Sequence, residues 1–102
     1  MENLNVEFTE NKDCLEVILK GQLTLMDALE LKQTLPKKAA LYSKTTIDLY
    51  EVSAIDLTGF NALLMTKKSI NSKPLEIKAD QNHPFFELAH LTKFTDQFVF
   101  SS

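Results

Sequence analysis

The chain has 102 residues, 44% of them apolar and 25% charged, and carries a net charge of -3 at neutral pH. That is the length of one domain with enough apolar material to close a single core. The acidic balance argues against phosphate-backbone binding, which draws on clustered cations, and apolar runs of four residues such as Ala62-Leu63-Leu64-Met65 fall far short of the roughly 20 that cross a bilayer.

The opening Met1-Glu2-Asn3-Leu4-Asn5 is polar and acidic, without the basic and apolar regions of a secretory signal, so a cytoplasmic location is expected. The single cysteine fits that compartment. Cys14 has no second cysteine for a disulfide or a zinc pair, and it reads as a small buried strand residue.

Leu4, Val6 and Phe8 alternate with polar residues, the turn Glu10-Asn11-Lys12-Asp13 follows, and Leu15, Val17 and Leu19 alternate again. This predicts an antiparallel hairpin. Gly21 breaks the pattern. From Thr24, a good N-cap, the residues Leu25, Ala28, Leu29 and Leu35 keep helical spacing up to Pro36, where the helix is expected to stop. A third strand covers Thr46 to Val52 with Ile47 and Leu49 on one side. A second helix carries the stripe Phe60, Leu63, Leu64 and Ile70 and ends at Asn71-Ser72-Lys73-Pro74. Leu75, Ile77 and Ala79 mark a fourth strand. Pro84 opens a third helix through Phe85, Leu88, Ala89 and Leu91, and Phe98-Val99-Phe100 forms a last short strand. The pairs Lys37-Lys38 and Lys67-Lys68 fall in the C-terminal halves of the first two helices, where cations complement the helix dipole.

Strands separated by single helices pair in parallel with right-handed crossovers, so the chain is an α/β domain with a mixed, mostly parallel five-stranded sheet and an N-terminal hairpin strand. Parallel strands covered on both faces read as continuous apolar runs. These strands keep polar residues at alternate positions instead, which predicts two layers, with the three helices mainly on one face.

Enzyme signatures are scarce. The only glycines are Gly21 and Gly59, so no phosphate loop or dinucleotide fingerprint can be built, and no G-x-S-x-G elbow occurs. His83 and His90 are seven residues apart without further ligands in reach, His83 reading as a helix start and His90 as the margin of an apolar face. Asp48, Glu51 and Asp56 lie close in sequence, but alternation turns Asp48 away from the Ile47 and Leu49 face. Neither catalysis, a metal nor a cofactor is expected.

The four residues Asp56-Leu57-Thr58-Gly59 stand apart. They follow a parallel strand, so they sit on the carboxyl edge of the sheet, where helix N-termini and their free amides collect. Asp56 or Thr58 suits a helix cap, and Gly59 permits a close backbone approach.

Three segments together resemble the STAS domain of bacterial anti-sigma factor antagonists: "LKGQLTLMDALELKQTL" (19 to 35), "TIDLYEVSAIDLTGFNALL" (46 to 64) and "HPFFELAHLTKF" (83 to 94). The second is the most specific, with an apolar-Asp-Leu strand end followed by Asp, a hydroxyl and Gly at a helix start. The resemblance implies a β-α superhelix and a mechanism of partner switching. In it the domain binds an anti-sigma factor that is a serine/threonine kinase, and phosphorylation directly after the Asp abolishes binding. It further implies a partner surface made of Thr24, Ser53, Asp56, Leu57, Thr58, Gly59, Phe60 and Asn61, with Gln22, Leu23, Met65 and Lys68 beside it. The usual acceptor position is Leu57 here, which leaves Thr58 as a displaced acceptor or the module as a constitutive binder with Leu57 adding apolar contact. A second implied role is that of an accessory subunit of an ABC-type transport complex.

Overall fold

A computed structural model of the chain describes residues 4–70, 73–92 and 98–101. Its elements run β1 (Leu4–Asn11), β2 (Cys14–Leu23), α1 (Leu25–Ala39), β3 (Lys44–Ile55), α2 (Leu57–Ile70), β4 (Leu75–Lys78), α3 (Pro84–Thr92) and β5 (Val99–Ser101). The five strands lie side by side in chain order. β1 and β2 pair antiparallel around Lys12 and Asp13, with Lys12 taking the positive φ of 57° that closes so short a turn, and every later pair is parallel.

Alternation sorts the two faces as expected. Leu15, Val17 and Leu19 of β2, Ile47 and Leu49 of β3, and Leu75 and Ile77 of β4 are buried beneath the helices. The opposite face carries ion pairs: Lys20 to Glu7 at 3.3 Å and to Glu51 at 3.6 Å, and Lys78 to Glu16 at 3.7 Å. Exposed pairs contribute about 0 to 1 kcal/mol each, whereas burying a single Leu or Ile contributes about 1.5 to 3. The charged face therefore marks where solvent lies, and the apolar face holds the fold together. At the far end of the core Phe60, Phe85 and Phe98 form a triangle with ring centroids 5.4, 6.1 and 5.3 Å apart, joining α2 and α3 to the chain entering β5.

Four expectations are corrected. The first helix does not stop at Pro36: α1 continues to Ala39, and the Ala40 amide bonds the Pro36 carbonyl at 3.1 Å. Proline in a helix interior costs about 3 kcal/mol, and the full burial of Leu35 and Ala39 on either side of it offsets that. The buried face of α1 is Ala28, Leu31, Leu35 and Ala39, while Leu25 and Leu29 are exposed. Cys14 is exposed at the first position of β2, beside the turn, where the alternation of the strand turns it away from the core. Leu91 also points to solvent, because the short α3 buries only Phe85 and Ala89 completely. Asn71 and Ser72, expected to end the second helix, lie outside the described residues.

Candidate functional site

β3 runs to Ile55, and the residue that follows it is shared between two helices. Asp56 Oδ1 accepts the Gly59 amide at 2.8 Å, which is an N-cap bond to the third residue of α2, and the Asp56 carbonyl accepts the Phe60 amide at 2.9 Å. The other carboxylate oxygen, Oδ2, accepts the Leu25 amide of α1 at 3.2 Å, across 31 residues of sequence. One carboxylate thus closes the free amides of two helix N-termini, where the dipoles favour negative charge.

Thr24 occupies the N-cap position of α1, but the cap bond expected from it is not made, and Asp56 serves a different amide of the same first turn. The helix instead begins at Leu25 with a φ of 49°, a left-handed conformation that a bulky residue adopts only when its surroundings impose it. The conformation throws the Leu25 side chain outward. It is 70% exposed, its neighbour Met26 is 75% exposed, and Leu57 across the Asp56 bridge is 54% exposed. Three exposed apolar residues therefore lie in the two first turns that Asp56 ties together.

The remaining expected residues sort into rim and support. Ser53 is exposed, and its hydroxyl donates to the Gly21 carbonyl at 3.3 Å, tying β3 to β2 where the strand register shifts and Gly21 takes a φ of 109°. Thr58 is half-buried in the first turn of α2. Asn61, Met65 and Lys68 lie on the exposed side of that helix, and Gln22 is exposed at the end of β2. Gly59 and Phe60, expected at the partner surface, are instead buried beneath it, as is Leu23. A Cβ on Gly59 would stand 2.1 Å from the Leu23 carbonyl oxygen and 2.9 Å from the Leu23 side chain, so the absence of a side chain is what lets α2 approach β2.

Two contributions were not foreseen from the sequence. Leu25 and Met26 are adjacent apolar residues, one of them out of phase with the buried face of α1, and that irregularity was the available signal. His83 is the other. It is buried before α3, where its Nδ1 accepts the Phe85 amide at 3.0 Å, which leaves Nε2 to donate to the Val52 carbonyl at 2.8 Å. The ring fixes α3 to β3 one residue before Ser53, so the loop to Asp56 leaves from a braced strand. His90, at the end of α3, is exposed.

Among the described residues no three His, Cys, Asp or Glu side chains are grouped to hold a metal ion, and no helix is long and apolar enough to cross a membrane.

No family model matches the sequence, and no curated protein does. Solved structures do match. The chain superposes on an anti-sigma factor antagonist from Mycobacterium paratuberculosis with a TM-score of 0.82 at 18% identity, over 95% of this chain and 84% of that one. It superposes on the anti-sigma factor antagonist SpoIIAA in its unphosphorylated form with a TM-score of 0.72 at 10% identity, covering 97% and 87%. For the Bacillus cell fate determinant SpoIIAA in the phosphorylated form the TM-score is 0.72 at 8% identity, covering 96% and 92%. Likeness at these identities establishes the fold: the chain has the STAS fold of the anti-sigma factor antagonists.

Proposed function

We propose that this chain is a regulatory protein-interaction module acting as an anti-sigma factor antagonist, and that it docks a partner protein on the edge built around Asp56. The observation that carries this reading is the exposed trio Leu25, Met26 and Leu57, gathered about a carboxylate that holds the first turns of α1 and α2 in fixed relation. Scattered surface leucines need no explanation. Apolar side chains collected on a rigid edge, ringed by Ser53, Thr58 and Asn61, have the composition of an interface centre with a polar rim. The likeness of fold to anti-sigma factor antagonists supports a partner of the anti-sigma factor or serine/threonine kinase kind.

Control by phosphorylation falls on Thr58 in this reading. Leu57 has no group to modify, whereas the Thr58 hydroxyl sits in the first turn of α2, two residues from Asp56. A phosphate there adds about 1.5 to 2 negative charges beside a carboxylate already committed to two amides, and it places that charge within the apolar trio. Docking is lost by desolvation and like-charge repulsion while the fold persists.

The test is capture from a bacterial lysate with the tagged chain, run beside Leu57→Glu and Met26→Glu, followed by mass spectrometry after incubation of the captured partner with ATP. An anti-sigma factor held by the parent chain and lost by both variants is the expected result, with phosphate on Thr58. Capture that both variants retain in full removes this edge from the function. Phosphate on Ser53 or Thr24 removes Thr58 as the acceptor.

A further inference from the structure

The lysines are spread unevenly over the fold. At the amino edge of the sheet β2, β3 and β4 begin while β1, α1 and α2 end, and hydrogen bonds between the loops hold these ends together. The Asp13 carbonyl accepts the Ser43 amide at 2.8 Å, the Pro74 carbonyl accepts the Thr45 amide at 3.3 Å, and the Lys73 ammonium donates to the Ala40 carbonyl at 2.9 Å. Lys67, in the last turn of α2, donates in turn to the Lys73 carbonyl at 3.1 Å. Lys12 at the hairpin tip, Lys37 and Lys38 in the last turn of α1, Lys44 at the start of β3 and Lys68 beside Lys67 bring the set to seven of the eleven lysines. The described carboxylates in the same loops, helix ends and outermost three residues of each strand are Glu10, Asp13, Glu16 and Glu76. Lys38 contacts Glu10 at 3.4 Å and Lys44 contacts Glu76 at 3.7 Å. Seven lysines against four carboxylates leave three positive charges at one end of a chain whose net charge is -3. The two helix C-termini return about one negative charge between them, so the edge stays positive.

One apolar side chain stands out from this edge. Leu41 is 80% exposed, the highest value among the described large apolar residues, and its amide bonds the Lys38 carbonyl at 3.1 Å, so a hydrogen-bonded turn carries it. The Lys73 bond to Ala40 brings a further cation to the adjacent residue. A lone leucine among lysines narrows the choice of partner. A protein interface gathers several apolar side chains at its centre, and the phosphates of a nucleic acid offer a leucine nothing. The surface of an anionic bilayer accepts both, with lysines at the headgroup phosphates and the leucine at the acyl boundary. We propose that the amino edge seats the chain on an acidic phospholipid membrane surface, with Leu41 entering the interface and the surrounding lysines over the headgroups. The site stands apart from the proposed function, because the Asp56 edge lies at the other end of the same strands. A seated chain turns Leu25, Met26 and Leu57 away from the lipid, where a protein partner can reach them.

The experiment is cosedimentation of the full, untagged chain with large unilamellar vesicles, one set of phosphatidylcholine alone and one carrying about 40% phosphatidylglycerol. Partition onto the acidic vesicles is expected to be about tenfold stronger or more, and to weaken as salt is raised. Leu41→Ser is expected to weaken it about fivefold, and Lys37→Glu combined with Lys68→Glu about tenfold or more. All three positions are exposed, and far-UV circular dichroism verifies that the variants fold. Equal partition onto the two vesicle types, no partition onto either, partition that Leu41→Ser or the lysine pair leaves intact, or tighter binding to duplex DNA at the same phosphate concentration each overturns the proposal.

Discussion

Two carboxylates, at opposite ends of α1, do different work with the same chemistry. Asp56 at the N-terminal end accepts two backbone amides and locks two helices. Glu10 at the C-terminal end accepts only side chains, the Tyr42 hydroxyl and the Lys38 ammonium at 3.4 Å, on a fully solvated surface. Backbone partners cannot rotate away, and their loss leaves helix amides without partners, so the first carboxylate is part of the architecture. Side-chain partners have water as an alternative and rotamer freedom to regain, so the second is an accessory. The comparison teaches that an edge of a sheet can be held rigid by backbone hydrogen-bond partners without being buried.

The contrast can be broken most forcefully beneath Asp56. Gly59→Val drives a Cβ into the Leu23 carbonyl, and a loss of about 3 kcal/mol is expected in urea denaturation. For this reason Gly59 is unsuitable as a surface probe of binding. Asp56→Ala removes both caps and is expected to cost about 2 kcal/mol, at about 1 per cap. Asp56→Asn keeps one side-chain oxygen for the Gly59 amide and gives up the Leu25 bond, so about 1 kcal/mol is expected. Equal losses for Ala and Asn would show that the bond to Leu25 carries the whole effect. Leu57→Glu adds a charge to an exposed side chain in the first turn of a helix. Stability should stay within about 0.5 kcal/mol of the parent in the same denaturation, while partner capture falls at least tenfold.

The smallest effect belongs to the other end. Glu10 is held below the usual carboxylate range, first by the Tyr42 hydroxyl and then by Lys38, and Tyr42 is raised above the usual phenol value chiefly by its bond to Glu10. A depressed acid stabilises above its unfolded value and loses that contribution as pH falls through the folded one. A raised phenol stabilises below its unfolded value and loses the contribution as pH rises through the folded one. The advantage of the parent over Tyr42→Phe in thermal midpoint should therefore span the interval between the two groups. It should fade below about pH 4 and above about pH 10. A midpoint difference unchanged at pH 3 would remove the Glu10 bond as its source.

Much of this was legible in the sequence because it is periodic. The alternation of Leu15, Val17 and Leu19 and the stripe Phe60, Leu63, Leu64 and Ile70 named their buried faces correctly. The separation of apolar from charged residues on successive strands gave the two layers. What failed was local reasoning where distant chain decides. Thr24 looked like the cap of α1, yet its side chain makes no cap bond and the side-chain bond to the first turn comes from Asp56, and nothing near Thr24 announces that. Pro36 looked like a stop because the price of a proline is local and the burial of Leu35 and Ala39 is tertiary. Phase alone also placed Leu25 and Leu29 in the core, although both are exposed and the buried face of α1 is Ala28, Leu31, Leu35 and Ala39. Asp56 itself was visible as a cap of α2, and half of its role was hidden for the same reason.

Strand order that copies chain order has a consequence for assembly. In this sheet each strand pairs with the one synthesised before it, so every βα unit finds its docking surface already laid down when it emerges, and the sheet grows in one direction like courses of brick. The first and last strands finish on opposite edges, about four spacings or about 19 Å apart. Joining the end of β5 to the start of β1 would need a bridge of about six extended residues along the carboxyl edge of the sheet, and it would exchange this outward growth for a closure that must wait for both outer strands.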